Sequence, residues 1–243
     1  FHCYTYIMQR QKKILVFTAT YNEKDNIGKL IKLVKKYCPF ADMLIVDDNS
    51  PDNTSDEILF LKQKFKNILL IQRRSKLGLD TAHKLAYNYG LKNNYDYLIT
   101  MDADLSHDPI EINNIIKNLE LFPFVIGSRY IDGGKCLMKI QRLLMSKYGN
   151  KLIKFVLGID CNEFTTSYRG FNLNKLGSFN LNTINASGYS FFMETIFEIS
   201  KRNLKIREIP ITFKDRSLGK SKLPKIEIFR TLGNLIILFF KKR

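Results

Sequence analysis

The chain predicts an α/β fold: a Rossmann-like, mostly parallel twisted sheet with helices on both faces, followed by an amphipathic C-terminal helix. Three observations point there. Short apolar runs alternate with helix-periodic stretches as far as about Tyr130. The runs are solidly apolar rather than alternating, as strands covered on both faces must be. The length of 243 residues lets one large domain bury a sizeable core. The pattern divides the chain into an extension over 1–13, a main domain over 14–223 and a terminal helix over 224–243.

Ile14-Leu15-Val16-Phe17 reads as the first buried strand. After the turn at Tyr21-Asn22-Glu23, Asp25 or Asn26 caps a helix whose Ile27, Leu30, Ile31 and Val34 keep helical spacing. Met43-Leu44-Ile45-Val46 and Ile68-Leu69-Leu70-Ile71 are the next strands, with a helix from about Ser55 to Phe65 between them. A helix over Thr81 to Tyr89 leads to a strand over Leu98 to Met101. Asp108 as N-cap and Pro109 as first helical residue open the next helix, with Ile112, Ile115, Ile116 and Leu119 facing inward. Phe124-Val125-Ile126 closes this half. The second half is less regular. A long helix runs over about 138–157, then come Thr165 to Phe171 and the Gly188-Tyr189 turn. A helix around Phe192 to Lys201 precedes a strand over Ile206 to Ile211, whose Pro210 assigns it to a sheet edge.

The composition, 45% hydrophobic and 26% charged, is that of a globular protein. A net charge of +16 calls for an anionic partner such as a phosphorylated molecule or an acidic membrane face. Nucleic acid is set aside, because the basic pairs are scattered and lack aromatic interleaving. Cys3, Cys38, Cys136 and Cys161 lack zinc-ligand or disulfide-framework spacing, so reduced thiols facing the cytosol are expected. The start of the chain carries no apolar leader, and no stretch approaches the roughly 20 apolar residues that cross a bilayer.

Parallel sheets bind ligands outside the carboxyl ends of their strands. That rule gathers Tyr21 and Glu23, Asp47-Asp48, Asp102-Ala103-Asp104 and Arg129 around one crevice. Two carboxylates one residue apart, Asp102 and Asp104, make a hard-oxygen site for Mg²⁺ or Mn²⁺ shared with phosphate oxygens. His107 is close enough to this pair to touch the ion or its phosphates, whereas His2 and His83 are incidental.

Further motifs stand in order: Thr20-Tyr21-Asn22-Glu23, Val46-Asp47-Asp48-Asn49-Ser50-Pro51, Asp102-Ala103-Asp104-Leu105-Ser106-His107 and Gly127-Ser128-Arg129-Tyr130. Arg142, Ser146, Tyr168-Arg169, Gly188-Tyr189, Glu194 and 215–222 follow. In this ordered set, from about Ile14 to Phe240, the chain resembles the dolichol-phosphate mannose synthases, inverting family 2 glycosyltransferases of GT-A fold. The resemblance implies transfer of mannose from GDP-mannose to dolichyl phosphate, feeding N-glycosylation, GPI-anchor and O-/C-mannosylation pathways. It implies a catalytic centre of Asp104, Arg129 and Arg216. It implies nucleotide-sugar contacts from Ala19, Tyr21, Glu23, Val46, Asp48, Asp102, Ala103, Asp104, Arg129, Arg216 and Lys222. Asp102 and Asp104 would bind the metal, while Arg129, Arg142 and Ser146 would hold the acceptor phosphate. Arg216 and Lys222 would close over the donor on a mobile loop.

The resemblance further implies a peripheral enzyme on the cytoplasmic face of the endoplasmic reticulum membrane. It is to the kind without C-terminal transmembrane helices, which works with small membrane subunits. The helix over Pro224 to Phe240 then either lies in the membrane interface or docks on the core. Ala19 replaces a usual Pro, Asp80 a Gly and Ser106 a Gln of some relatives, and Glu163 and Thr166 replace an Asp and a Gly. Two other readings are a polyprenyl-phosphate transferase using UDP-glucose and a catalytically silent scaffold, the latter opposed by the joint presence of Asp102, Asp104, Arg129 and Arg216.

Overall fold

The computed structural model describes residues 11–215 and 226–242. Arg216, Lys222, Pro224 and most of the N-terminal extension lie outside the described residues. The chain runs β1 (Ile14–Thr20), α1 (Lys24–Tyr37), β2 (Asp42–Asp47), α2 (Thr54–Lys64), β3 (Ile68–Gln72), α3 (Leu79–Lys92) and β4 (Tyr97–Thr100). It continues with α4 (Ile112–Leu119), β5 (Phe124–Ser128), β6 (Lys135–Leu137), α5 (Ile140–Leu157) and β7 (Arg169–Asn172). Last come α6 (Tyr189–Lys201), β8 (Ile206–Pro210), β9 (Thr212–Lys214) and α7 (Ile226–Lys241).

Successive side chains of each strand point to opposite faces, and both faces are covered. On one side, Leu15, Phe17, Leu44, Val46, Leu98 and Phe124 meet α3, α5, α6 and α7. On the other, Ile14, Val16, Met43, Ile45, Ile99 and Val125 meet α1, α2 and α4. The seven-stranded sheet has the order β3-β2-β1-β4-β7-β5-β8, parallel throughout except β7. The expected parallel, doubly covered sheet is therefore present, and Pro210 does lie on an edge strand.

β7 was not expected as a strand, and it decides the shape of the site. It inserts antiparallel between β4 and β5, with Arg169 opposite both Thr100 and Ile126. Its N-terminal end therefore stands at the carboxyl ends of its neighbours, so Thr165, Thr166 and Ser167 just before it line the crevice. Gly170 permits this, because a Cβ there would collide with Ile115 and Leu119 of α4. A small parallel pair, β6 with β9, was also missed. Lys214 N–H donates to the Ser106 carbonyl at 3.1 Å, tying this pair to the loop after β4.

Some local details differ from expectation. Helix α1 starts at Lys24 without a side-chain cap, because the loop before α2 meets its first amides. Glu23 N–H donates to Thr54 Oγ1 at 3.0 Å and Lys24 N–H to Asp52 Oδ2 at 3.1 Å. Asn26 instead holds the Glu23 carboxylate at 2.8 Å. Asp108 does cap, but it caps a 3₁₀ turn over Pro109–Glu111 that precedes α4. On α7, Leu235 and Leu238 are buried against the core, while Phe229 and Phe240 stay 73% and 65% exposed. That helix docks and still presents an apolar stripe.

His83 is a core residue, ringed by Phe17, Phe191 and Phe192. Burial, helped by the Arg169 charge, lowers its pKa from 6.5 to about 3. The unfolded chain then takes up the proton first. Above about pH 6.5 the ring adds no pH dependence; from there toward pH 3 it costs up to about 1.4 kcal/mol per pH unit. The melting temperature should fall through this window, and His83→Phe should flatten the slope. An unchanged slope in the variant would disprove the assignment.

Candidate active site

Tyr21 and Glu23 follow β1, Asp48 follows β2, the Asp102-Ala103-Asp104 triplet follows β4, and Arg129 follows β5. At about 4.8 Å per strand, the ends of β2 and β5 are four steps, roughly 19 Å, apart. At the β2 end the two aspartates do different work. Asp47 is fully buried and accepts from Thr20 Oγ1 (2.7 Å), Ser50 N (2.9 Å), Ser50 Oγ (2.6 Å) and Ser55 Oγ (3.1 Å). It welds β1, its own loop and α2 together. Asp48, expected to meet the nucleotide, accepts from Arg73 with one oxygen and from Gly78 N–H (3.2 Å) with the other. Arg73 in turn reaches the Gly78 carbonyl at 3.0 Å, so the pair organises the loop before α3. Tyr21 is half-buried beneath the Lys76 ammonium, 4.2 Å from the ring centre. Of the other expected nucleotide contacts, Val46 and Ala103 direct their side chains into the core, leaving only their backbone for a ligand, and Ala19 is half-buried.

After β4, Leu105 adopts a left-handed conformation with φ of 63°, an uncommon and mildly strained state for a bulky residue. The turn brings Ser106 N–H to Asp104 Oδ1 at 3.1 Å. Asp104 is 4% exposed, whereas the Asp102 side chain is 36% exposed and receives the Ser167 hydroxyl at 2.5 Å. His107 supports this turn from below. Its Nδ1 accepts the Asp102 amide at 3.1 Å, so the proton sits on Nε2, 3.1 Å from Thr166 Oγ1. Burial keeps the ring neutral against the pull of Asp102 and Asp104. It acts as a brace rather than half of an ion pair with the Asp102 carboxylate 3.8 Å away.

Arg129 is anchored by Glu163 through Nε–Oε2 (2.6 Å) and Nη2–Oε1 (2.7 Å). The Tyr130 and Phe213 rings lie 5.1 and 5.0 Å from its guanidinium carbon. Arg142 on α5 pairs with Asp215 at 3.1 Å, and Ser146 one turn later receives the Tyr130 hydroxyl at 2.7 Å. A cavity of about 290 Å³ is lined by Asp102, His107, Arg129, Arg142 and Ser146. Apolar Met145, Leu152, Phe192, Leu232 and Leu235 from α5, α6 and α7 line the same cavity. The expected acceptor residues thus meet Asp102 in one space. Tyr21, Glu23 and Asp48 do not line it and stand at the β1 and β2 ends.

Among the described residues, no three His, Cys, Asp or Glu side chains cluster to enclose a metal ion. Asp102 and Asp104 alone suit a hard divalent cation whose remaining ligands are water and phosphate oxygens. The donor chemistry therefore fits Mg²⁺ or Mn²⁺ held jointly with a diphosphate.

Residues 15–178, well over half of the chain, match the model of Glycosyl transferase family 2. The chain belongs to this family. It is 33% identical over 217 residues to a polyprenol monophosphomannose synthase of Mycolicibacterium smegmatis, covering 87% of this chain and 81% of that one. It is 32% identical over 212 residues to an undecaprenyl-phosphate mannosyltransferase of Micrococcus luteus, covering 87% of each. Among solved structures, glucosyl-3-phosphoglycerate synthase of Mycobacterium tuberculosis with Mn²⁺ and UDP shares the fold at a TM-score of 0.67 and 13% identity, over 95% of this chain and 80% of that one. A Pyrobaculum calidifontis mannosyltransferase with GDP-mannose and Mn²⁺ gives 0.59 and 16%, over 96% of this chain and 64% of that one. The expected GT-A fold is thus established, and the protein is a glycosyltransferase.

In this family 2 glycosyltransferase, the motifs did not reveal the segment that joins the β4 and β5 sides of the crevice. Glu163 and Thr165 hold Arg129, Thr166 touches His107, and Ser167 touches Asp102. The only signal was that Glu163 and Thr166 departed from the motif. Arg73 belongs to no motif, although an arginine soon after β3 can reach the adjacent β2 end.

Proposed function

We propose that this glycosyltransferase moves mannose from GDP-mannose onto a polyprenyl phosphate, specifically dolichyl phosphate, with inversion at the anomeric carbon. One observation carries the reading: a single cavity lined by two arginines and a serine together with apolar side chains of α5, α6 and α7. Such a space suits an amphiphile with a phosphate head. The names of the two bacterial relatives support the same substrate class.

A phosphate monoester with a second pKa near ~6 is largely dianionic at neutral pH and attacks without a general base. Arg129, Arg142 and Ser146 orient it, with the Arg142–Asp215 pair yielding to the stronger anion. Tyr21 and Glu23 hold the nucleoside, and Asp48 shapes the loop beside it through Arg73. Asp102 and Asp104 would hold a divalent cation, Mg²⁺ or Mn²⁺, which stabilises the charge that develops on the departing diphosphate. Arg216 and Lys222 are assigned to the same diphosphate by the sequence resemblance. Attack opposite the leaving group gives the β-linked product from an α-linked donor.

Ile140, Tyr148 and Phe155 of α5 are 64%, 64% and 85% exposed, and Phe229 and Phe240 of α7 add to this apolar surface. No helix among the described residues is long and apolar enough to cross a membrane. We assign this surface to the membrane interface, at the cytoplasmic face of the endoplasmic reticulum and alongside small membrane subunits. On this reading 14–223 is the catalytic domain and 224–243 its interfacial helix. The double variant Phe155→Glu, Phe229→Glu should lose at least about tenfold in co-sedimentation with anionic vesicles, since each charge must enter the apolar layer. Equal sedimentation would remove α5 and α7 from the membrane.

The deciding experiment incubates the protein with GDP-mannose, Mg²⁺ or Mn²⁺ and dolichyl phosphate, and follows mannolipid and released GDP. A chelator should stop the reaction. Preference for UDP-glucose would overturn the mannose assignment.

A further inference from the structure

The geometry points to Glu163 as a positioning residue that fixes which edge of Arg129 meets the acceptor phosphate; this rests on the polyprenyl-phosphate reading above. Glu163 has no exposed surface, and its carboxylate is held by its own loop. Oε1 accepts from Thr165 N (3.1 Å), Thr165 Oγ1 (2.9 Å) and Thr166 N (3.2 Å) as well as from Arg129. Its orientation is thus set before the arginine arrives.

The guanidinium has little freedom left. Nε and Nη2 are taken by Glu163, Nη2 also reaches Thr165 Oγ1 at 2.9 Å, and Tyr130 and Phe213 stand close to the group. Only the Nη1 donors make no hydrogen bond among the described residues, in a side chain that lines the cavity. Arg142 behaves differently. Its side chain is 38% exposed and its partner Asp215 36% exposed, so a ligand can exchange with that carboxylate. One arginine is therefore fixed and directional, the other mobile and exchangeable.

The fixed one is also spaced from the β1 and β2 ends, to which the nucleoside is assigned. The loop that carries Glu163 reaches His107 through Thr166 and Asp102 through Ser167. Shortening Glu163 by one methylene should draw Arg129 away from the acceptor while leaving the nucleotide end, three to four strands distant, in place.

The test compares wild type, Glu163→Asp and Glu163→Gln by calorimetry with farnesyl phosphate and, separately, with GDP and Mn²⁺. Steady-state KM values are measured for acceptor and donor. Glu163→Asp should weaken farnesyl phosphate by about tenfold and raise the acceptor KM alike, with GDP binding changed less than about twofold. Glu163→Gln should lose more in the same direction; if it does not fold, the aspartate variant still decides. Wild-type values for both ligands in Glu163→Asp, equal losses for both, or wild-type protein that binds no farnesyl phosphate would each overturn the inference. Wild-type protein that binds farnesyl phosphate but transfers no mannose would overturn the proposed reaction, and the split in binding would still uphold the positioning role.

Discussion

Asp104→Asn is expected to lower mannosyl transfer by about 10²- to 10³-fold, the size of loss seen when one stabiliser of transition-state charge is removed. The substitution is nearly isosteric. Asparagine can still offer an oxygen to Ser106 N–H, 3.1 Å from Oδ1 in the native turn, so the loop keeps its shape. What disappears is one of the two carboxylates proposed to hold a divalent cation beside the donor diphosphate. The loss should appear in kcat and in Mn²⁺-dependent binding of GDP, with the melting temperature shifted by no more than about 2 °C, since no packing changes. Turnover within a few-fold of wild type would remove Asp104 from the mechanism.

Arg169→Ala should have the largest effect on stability. Arg169 is 1% exposed and has no carboxylate partner among the described residues; its guanidinium donates to the carbonyls of Thr166 (2.8 Å), Phe192 (2.9 Å) and Phe164 (3.0 Å). Burial lowers its pKa to about 9. Truncation removes three hydrogen bonds to buried carbonyls, two of them in the loop before β7, and opens a cavity beside Phe192, a combined cost of about 3–5 kcal/mol. For a chain of this size that corresponds to a fall of roughly 10 °C in melting temperature. The residues it fixes, 164 and 166, flank the contacts to Arg129 and His107, so activity should fall below the fraction still folded. A melt within about 2 °C of wild type would show that those carbonyls find other partners.

Much of this was legible in the amino-acid order because it rests on strong local signals. Solid apolar runs such as Ile14–Phe17 and Met43–Val46 have one low-energy use in a protein of this size: strands covered on both sides. Pro210 forbids a ladder hydrogen bond and so placed its strand at an edge. The pairing of Arg142 with Ser146 on one helical face followed from their spacing of four. β7 was hidden because its four residues, Arg-Gly-Phe-Asn, mix charge, flexibility and polarity, and their burial comes entirely from partners far along the chain. The Glu163–Arg129 and Asp48–Arg73 pairs were hidden for a related reason. Asp48 reads as a ligand contact and Glu163 only as a departure from the motif, and only the fold reveals the arginine that each one meets.

The late arrival of β7 also governs how this enzyme must be made. β5 pairs in the main sheet with β7 and β8, so a nascent chain synthesised only as far as α5 holds four joined strands of that sheet and leaves both β5 and β6 unpaired. Until Asn172 clears the ribosome, β4 keeps a bare edge able to capture strands from neighbouring chains. The two ends of the substrate crevice are stitched together in a single step, by the strand that runs against all the others.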